Sequence, residues 1–273
     1  MTAPIGVFDS GVGGLTVLRA LRAAMPRENF VYLGDTARLP YGTKSAETVV
    51  RYSLQCASAL IERGIRCLVV ACNTVSASAL DALRRHHPNL PVIGVIEPGA
   101  RAAVSSSISQ HIAVIATEGT IDGDAYKTAI HRCNPSARVT SRACSLFVSM
   151  AEEGWTEGPI AEAVARRYLD PMFQSGDAPD TLVLGCTHFP ALAGALSAVL
   201  PRQLTIVDSA ATTATAVLRQ LYGDARPPGE TGLSGERGTV KWLATDGAAR
   251  FARVSGTFLG EPLPVEAIEI IDL

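Results

Sequence analysis

Two short runs of nearly the same residues stand 114 positions apart: Leu68-Val69-Val70-Ala71-Cys72-Asn73-Thr74 and Leu182-Val183-Leu184-Gly185-Cys186-Thr187-His188. In each, an apolar stretch of strand type ends in a cysteine, and small or polar residues compatible with a helix follow. A cysteine so placed sits at the carboxyl end of a strand against a helix N-terminus, where a thiol's pKa is expected to fall. The requirement is modest, because a free thiol near pKa 8.5 lies only about 2 kcal/mol from half ionisation at pH 7. Asn73, Thr74, Thr187 and His188 carry donors that would hold a thiolate. Two cysteines facing one cleft would keep one thiol and one thiolate, equipment for a single reaction worked from both sides. Cys56, Cys67, Cys133 and Cys144 lack this context and read as small apolar residues.

Other residues invite chemistry less strongly. The run Ile5 to Gly14 ends a strand in Asp9-Ser10 and turns on glycines whose N–H groups could meet a carboxylate. It is no dinucleotide fingerprint, since Thr16 stands where G-x-G-x-x-G from Gly11 needs glycine, and no G-x-x-x-x-G-K-[ST] run is present. The plain alternative for Asp9 or Ser10 is a helix N-cap. Pro40-Tyr41-Gly42 reads as a turn, and His188 either as an orienter or proton relay for Cys186 or as a satisfied core histidine. Glu152 and Glu153, after Leu146-Phe147-Val148, are expected in the first turn of a helix as solvated carboxylates.

The elements that must position these residues alternate. Ile5–Phe8, Phe30–Leu33, Cys67–Val70 and Val92–Ile96 read as strands, with helices over Leu15–Met25, Ala46–Arg63 and Ser76–Arg85 between them. That order predicts βαβ units and a parallel sheet. The second half repeats the plan with Ile112–Ile115, a helix near Gly123–His131, Leu182–Leu184 and Leu204–Val207. Cys72 follows Ser10 by 62 residues and Cys186 follows Thr117 by 69, so an internal duplication is expected. A helix to Tyr222 and a Gly/Pro-rich loop from Gly223 to Gly238, expected to be mobile, lead to a tail. The tail offers a strand at Val240–Leu243, a helix near Ala248–Phe258 and a short run Ala267–Ile271, whose packing the pattern leaves open.

Composition narrows the class. With 273 residues, 47% of them hydrophobic, the chain can fill one large or two moderate cores. A net charge of −2 with scattered basic residues gives no footprint for nucleic acid or an anionic membrane surface, which leaves a small molecule as the expected partner. Only four residues precede Ile5 and no apolar stretch reaches membrane-spanning length, so a soluble, cytoplasmic protein is expected. The six cysteines are expected to be thiols, and the absence of Cys-x-x-Cys spacing argues against a zinc site.

Taken together, the chain resembles the glutamate racemases, cofactor-independent enzymes of the aspartate/glutamate racemase superfamily. The likeness rests on Asp9-Ser10-Gly11-Val12-Gly13-Gly14-Leu15, Pro40-Tyr41-Gly42, Ala71-Cys72-Asn73-Thr74, Gly94-Val95-Ile96-Glu97-Pro98-Gly99, Thr117-x-Gly119-Thr120-Ile121 and Leu184-Gly185-Cys186-Thr187-His188-Phe189-Pro190. It implies two pseudo-symmetric α/β domains, each a mostly parallel sheet flanked by helices, with the active site in the cleft between them. Residues 1–96 with 210–273 would form the first and 97–209 the second. It further implies that Cys72 is the acid/base for the D-isomer of glutamate and Cys186 the one for the L-isomer. Asp9, Ser10, Tyr41, Gly42, Asn73, Thr74, Thr187 and His188 would hold the substrate, with Asp9 and His188 assisting the proton transfers and Glu152 a further acidic position. No cofactor, a homodimer and supply of D-glutamate for peptidoglycan complete the expectation. The chain departs from the family's Cys-Pro-x-x-Val-Pro-like run at Cys144-Ser145-Leu146-Phe147-Val148-Ser149, and Ala151 replaces a larger apolar residue. The alternatives are an aspartate or other amino-acid racemase and a regulatory, partner-binding protein; a Cys-His hydrolase would give no reason for the second cysteine.

Overall fold

The computed structural model describes residues 2–174, 176–223 and 237–273; residues 224–236 of the expected Gly/Pro-rich loop lie outside the described residues. The first half runs β1 (Ile5–Asp9), α1 (Leu15–Ala24), β2 (Phe30–Gly34), α2 (Ala46–Ile61), β3 (Cys67–Val70), α3 (Asn73–Ser78), α4 (Leu80–His86) and β4 (Val92–Gly94). The second runs α5 (Ile96–Ser106), β5 (His111–Ala116), α6 (Glu118–Asp122), α7 (Ala125–Cys133), β6 (Arg138–Ala143), α8 (Leu146–Glu152), α9 (Gly158–Phe173), β7 (Thr181–Gly185), α10 (Ala193–Val199) and β8 (Thr205–Asp208). The chain then returns through α11 (Ser209–Tyr222), β9 (Val240–Ala244), α12 (Ala248–Leu259) and β10 (Ile268–Ile270).

Two sheets result, in the orders β10-β9-β2-β1-β3-β4 and β6-β5-β7-β8. Every pairing is parallel. Without β9 and β10 the first order becomes β2-β1-β3-β4, which β6-β5-β7-β8 repeats strand for strand, so the duplication visible in the cysteine runs extends to the whole topology. β1, β3 and β7 are central and buried along their length, which is why they read as unbroken apolar runs. The tail settles beside β2, with Phe30 opposite Val240 and Gly34 opposite Ala244, and β10 extends that edge.

A continuous apolar cluster joins the two sheets, running from Leu15, Leu18 and Phe258 through Val217, Ala100 and Ala103 to Ile112, Val114 and Tyr126. The outer face of the first sheet is closed by α2 and α4 through Val49, Leu60 and Leu83, and that of the second by Phe147, Leu169 and Leu196.

Two expectations need correction, and one strand was not expected. The single helix over Ser76–Arg85 is two, α3 and α4, because Ala79 leaves helical geometry at φ −121°. The strand at Val92–Ile96 stops at Gly94, and Ile96-Glu97-Pro98 instead open α5, where a proline in the first turn loses no hydrogen bond. β6 escapes the apolar pattern because it is a half-exposed edge strand, Arg-Val-Thr-Ser-Arg-Ala.

Candidate active site

The carboxyl ends of the two sheets face one cavity of about 260 Å³, lined by Cys72 and Cys186 together. Ser10 enters from the end of β1, Tyr41 and Gly42 from the β2–α2 connection, and Asn73 and Thr74 from the start of α3. From the other half come Thr117 after β5, Glu152 at the end of α8, and Thr187 and His188 after β7. All of the residues expected at the site line this cavity except Asp9, which is fully buried at the end of β1.

The surroundings of the two thiols differ. Cys72 donates to Ser10 Oγ at 3.4 Å. Burial pushes its pKa up to about 12, and the neighbouring Asp9 charge adds to the rise. That overturns the expected lowering at a helix N-terminus. Cys72 is the N-cap of α3, but this helix has only six residues, too little to offset the loss of water. Asp9 is not a helix cap; its Oδ2 accepts from Gly11 N at 2.9 Å, and α1 begins only at Leu15. Burial raises its pKa, against the pull of His188 and of the Gly14 and Gly11 N–H groups.

Cys186 is followed by a short 3-10 turn, Phe189–Leu192, with His188 at its N-cap position, rather than by a regular α-helix. Its Sγ lies 3.8 Å from His188 Nδ1, and His188 Nε2 is 3.1 Å from Glu152 Oε1. Burial opposes protonation of this imidazole, but Cys186, Glu152 and Asp9 outweigh it and raise its pKa to about 10. Glu152 is the last residue of α8, not in a first turn, because Phe147, Met150 and Ala151 already form the buried face of a helix that starts at Leu146. A carboxylate is unfavourable at that end of a helix dipole. Burial also pushes the Glu152 pKa up, yet His188 and Arg250, whose NH2 is 2.7 Å from Oε2, more than reverse that and hold it below its ordinary value.

Several donors are placed for a ligand. Asn73 Oδ1 accepts from the Tyr126 hydroxyl at 2.8 Å, which leaves its buried Nδ2 without a protein partner among the described residues. An unmet buried donor costs about 1–3 kcal/mol, so a ligand acceptor there would relieve it. Thr74 Oγ1 meets Thr117 Oγ1 at 3.0 Å, and Thr117 meets Thr120 at 3.1 Å, a hydroxyl cluster contributed by both halves. Tyr41 lines the cavity but points its hydroxyl away, donating it to the buried Asp35. Glycine is required where the halves touch: a Cβ on Gly13 would lie 2.4 Å from Thr187 Oγ1, and one on Gly42 2.9 Å from Thr117 Cβ.

Sequence reasoning missed Thr117, Asp35, Tyr126 and Arg250. Thr117 was within reach, since the duplicated spacing pairs it with Ser10; the other three are ordinary residues outside the repeated runs, brought in by the fold.

Residues 11–217 match the Asp/Glu/Hydantoin racemase family. The chain is 50% identical to the glutamate racemase of Geobacter metallireducens over 95% of this chain and 93% of that protein. It is similar in structure to the glutamate racemase of Francisella tularensis in complex with D-glutamate, with TM-score 0.88, 34% identity and coverage of 99% and 97% of the two chains. The enzyme of Thermus thermophilus in complex with beta-chloro-D-alanine gives TM-score 0.84 and 41% identity, again over 99% and 97%. The duplicated parallel sheets, the paired thiols at their facing ends and these likenesses agree: the chain belongs to the Asp/Glu/Hydantoin racemase family.

Proposed function

We propose that the protein interconverts L- and D-glutamate without a cofactor, by proton transfer between two thiols. The observation that carries this reading is the sharing of one small cavity by Cys72 and Cys186 from opposite halves. A Cys186 thiolate beside the His188 imidazolium takes the α-proton of L-glutamate, leaving the C–H electron pair on the substrate. The Cys72 thiol then delivers its own proton to the opposite face, giving D-glutamate, a Cys72 thiolate and a Cys186 thiol. The reverse direction runs the same steps backwards, with Asp9 and His188 assisting the proton transfers. A single base would tend to return its proton to the face it came from, so two are a geometric need. Because the carbanion has no electron sink of its own, donors around it must carry the developing charge. Asn73 Nδ2 and the hydroxyls of Ser10, Thr74 and Thr187 supply donors for the carboxylates, and Asp9 a counter-charge for the ammonium. Tyr41 and Gly42 form the wall beside them.

The same reading assigns residues 1–96 with 210–273 to one domain and 97–209 to the other, in keeping with the strands each sheet draws on. It makes the protein a cytoplasmic homodimer supplying D-glutamate for peptidoglycan, with no direct contact to nucleic acid, which a net charge of −2 does not favour. Among the described residues no helix is long and apolar enough to cross a membrane. Racemisation of aspartate is the competing reading; the curated relatives bearing the glutamate racemase name at 40–50% identity favour glutamate. Side-by-side rates on glutamate and aspartate, with and without added pyridoxal phosphate, decide it. Faster turnover of glutamate, indifferent to the cofactor, is expected; faster aspartate turnover or a cofactor requirement would overturn the reading.

A further inference from the structure

The tail has no counterpart in the second half, and the family match ends at residue 217, before β9 and α12 begin. A four-stranded sheet suffices for the other half, so closing a sheet does not by itself account for this addition. Its β9–α12 turn and α12 itself reach residues that support both walls of the cavity. On one side, Thr245 Oγ1 donates to Asp35 Oδ1 at 2.8 Å and accepts from Ala37 N at 2.9 Å, while Asp246 N donates to Thr36 Oγ1 at 3.0 Å. Asp35, fully buried, uses its other oxygen to accept from Arg38 Nε at 2.7 Å and from the Tyr41 hydroxyl. The stretch from Leu39 to Thr43, which lines the cavity and has only a single 3-10 turn of its own, is therefore tied to the tail through one carboxylate. On the other side, Arg250 donates to Glu152, which holds His188, and the Phe258 ring packs edge-on to the His188 imidazole at 5.0 Å between centroids.

We propose that the tail is a positioning element for the reaction, with Thr245 and Arg250 as its positioning residues: Thr245 fixes the substrate-facing wall through Asp35, and Arg250 fixes His188 through Glu152. Neither residue is placed to touch substrate. Arg250 is half exposed, and an ion pair of that kind adds little to stability, so its effect falls on the orientation and charge of Glu152. Glu152 faces His188 and Arg250 directly and feels Asp9 across the site. Loss of Arg250 removes one of the two cations that keep it ionised.

The inference rests on the racemase reading, and kinetics on the full chain separate the two. Thr245→Val is expected to raise KM for glutamate about 10-fold with kcat changed by less than about 3-fold, the loss of one buried hydrogen bond felt at the binding wall. Arg250→Gln is expected to lower kcat about 10-fold at nearly constant KM and to move the acid limb of the kcat profile to higher pH, since Glu152 then protonates more readily. Thr245→Ser and Arg250→Lys should restore most of each loss. Folded variants with lower Tm but unchanged KM, kcat and pH profile would assign the tail to stability alone and overturn the proposal, as would failure of the conservative variants to rescue. A wild-type protein that does not turn over glutamate would instead sink the racemase reading.

Discussion

At the end of β3 the Cys72 thiol has a hydroxyl, Ser10, and a buried acid, Asp9, for neighbours; at the end of β7 the Cys186 thiol has an imidazole held by Glu152 and Arg250. Apart from β9 and β10, the strands and their order are the same in both halves. Duplication therefore fixed where the thiols stand, and the residues just beyond each strand decide what charge each one tolerates. On the Cys72 side negative charge meets burial and Asp9, which favour the thiol. On the Cys186 side an imidazole that stays protonated up to about pH 10 offers a counter-charge. In the racemase reading this difference in surroundings is what suits the two thiols to opposite enantiomers.

The comparison can be broken most severely at the thiols themselves. Cys72→Ala and Cys186→Ala should each lower racemisation by at least about 10³-fold, read from the optical rotation of glutamate. They should differ in what survives. Cys72→Ala keeps the Cys186–His188 pair and should still exchange the α-proton of L-glutamate with deuterated water, faster than Cys186→Ala exchanges that of D-glutamate. Equal exchange rates would mean that the surroundings do not distinguish the thiols.

His188→Asn comes next, with a fall in kcat of about 10²-fold. Enantiomers have equal free energies, so kcat/KM must drop equally in both directions, and the asymmetry is read in isotope effects. With the Cys186 step slowed, 2-deuterated L-glutamate should show a larger primary effect than 2-deuterated D-glutamate. Glu152→Gln should act in the same sense but more weakly, about 10-fold in kcat, because the imidazole remains while its support is lost. An identical drop with no change in the isotope-effect ratio would place Glu152 outside the Cys186 side.

The smallest effect is on stability. His188 has a folded-state pKa of about 10, raised from 6.5, so its contribution is full below pH 6.5 and is lost as pH rises through about 10. Wild type should lose on the order of 5 °C in Tm between pH 6.5 and 9.5 beyond what His188→Asn loses. Cys56, Cys67, Cys72 and Cys144, whose pKa values burial raises, add their own loss only above their unfolded value of about 8.5, in both proteins. Parallel Tm curves would show that His188 is not the charged partner described.

Much of this was legible in the residues. The strand-cysteine runs marked the two ends that meet, the spacing marked the duplication, and the central strands announced themselves as unbroken apolar runs. What was hidden depended on long-range packing. The direction of the Cys72 shift follows from the depth at which Asp9 and Cys72 are buried together, which no local pattern records. The Leu146-Phe147-Val148 run gives periodicity without a start signal, so the residues do not mark Glu152 as the last residue of its helix rather than the first. Asp35 and Arg250 matter only once the tail, packed against β2, brings Thr245 to one and α12 carries the other to Glu152.

The central claim, two thiols working opposite faces of one carbon, is tested most directly by converting L-glutamate in deuterated water and analysing both pools early in the reaction. The account predicts D-glutamate carrying one deuterium at the α-carbon while the remaining L-glutamate stays protiated. D-glutamate that retains the substrate's own α-proton would contradict it.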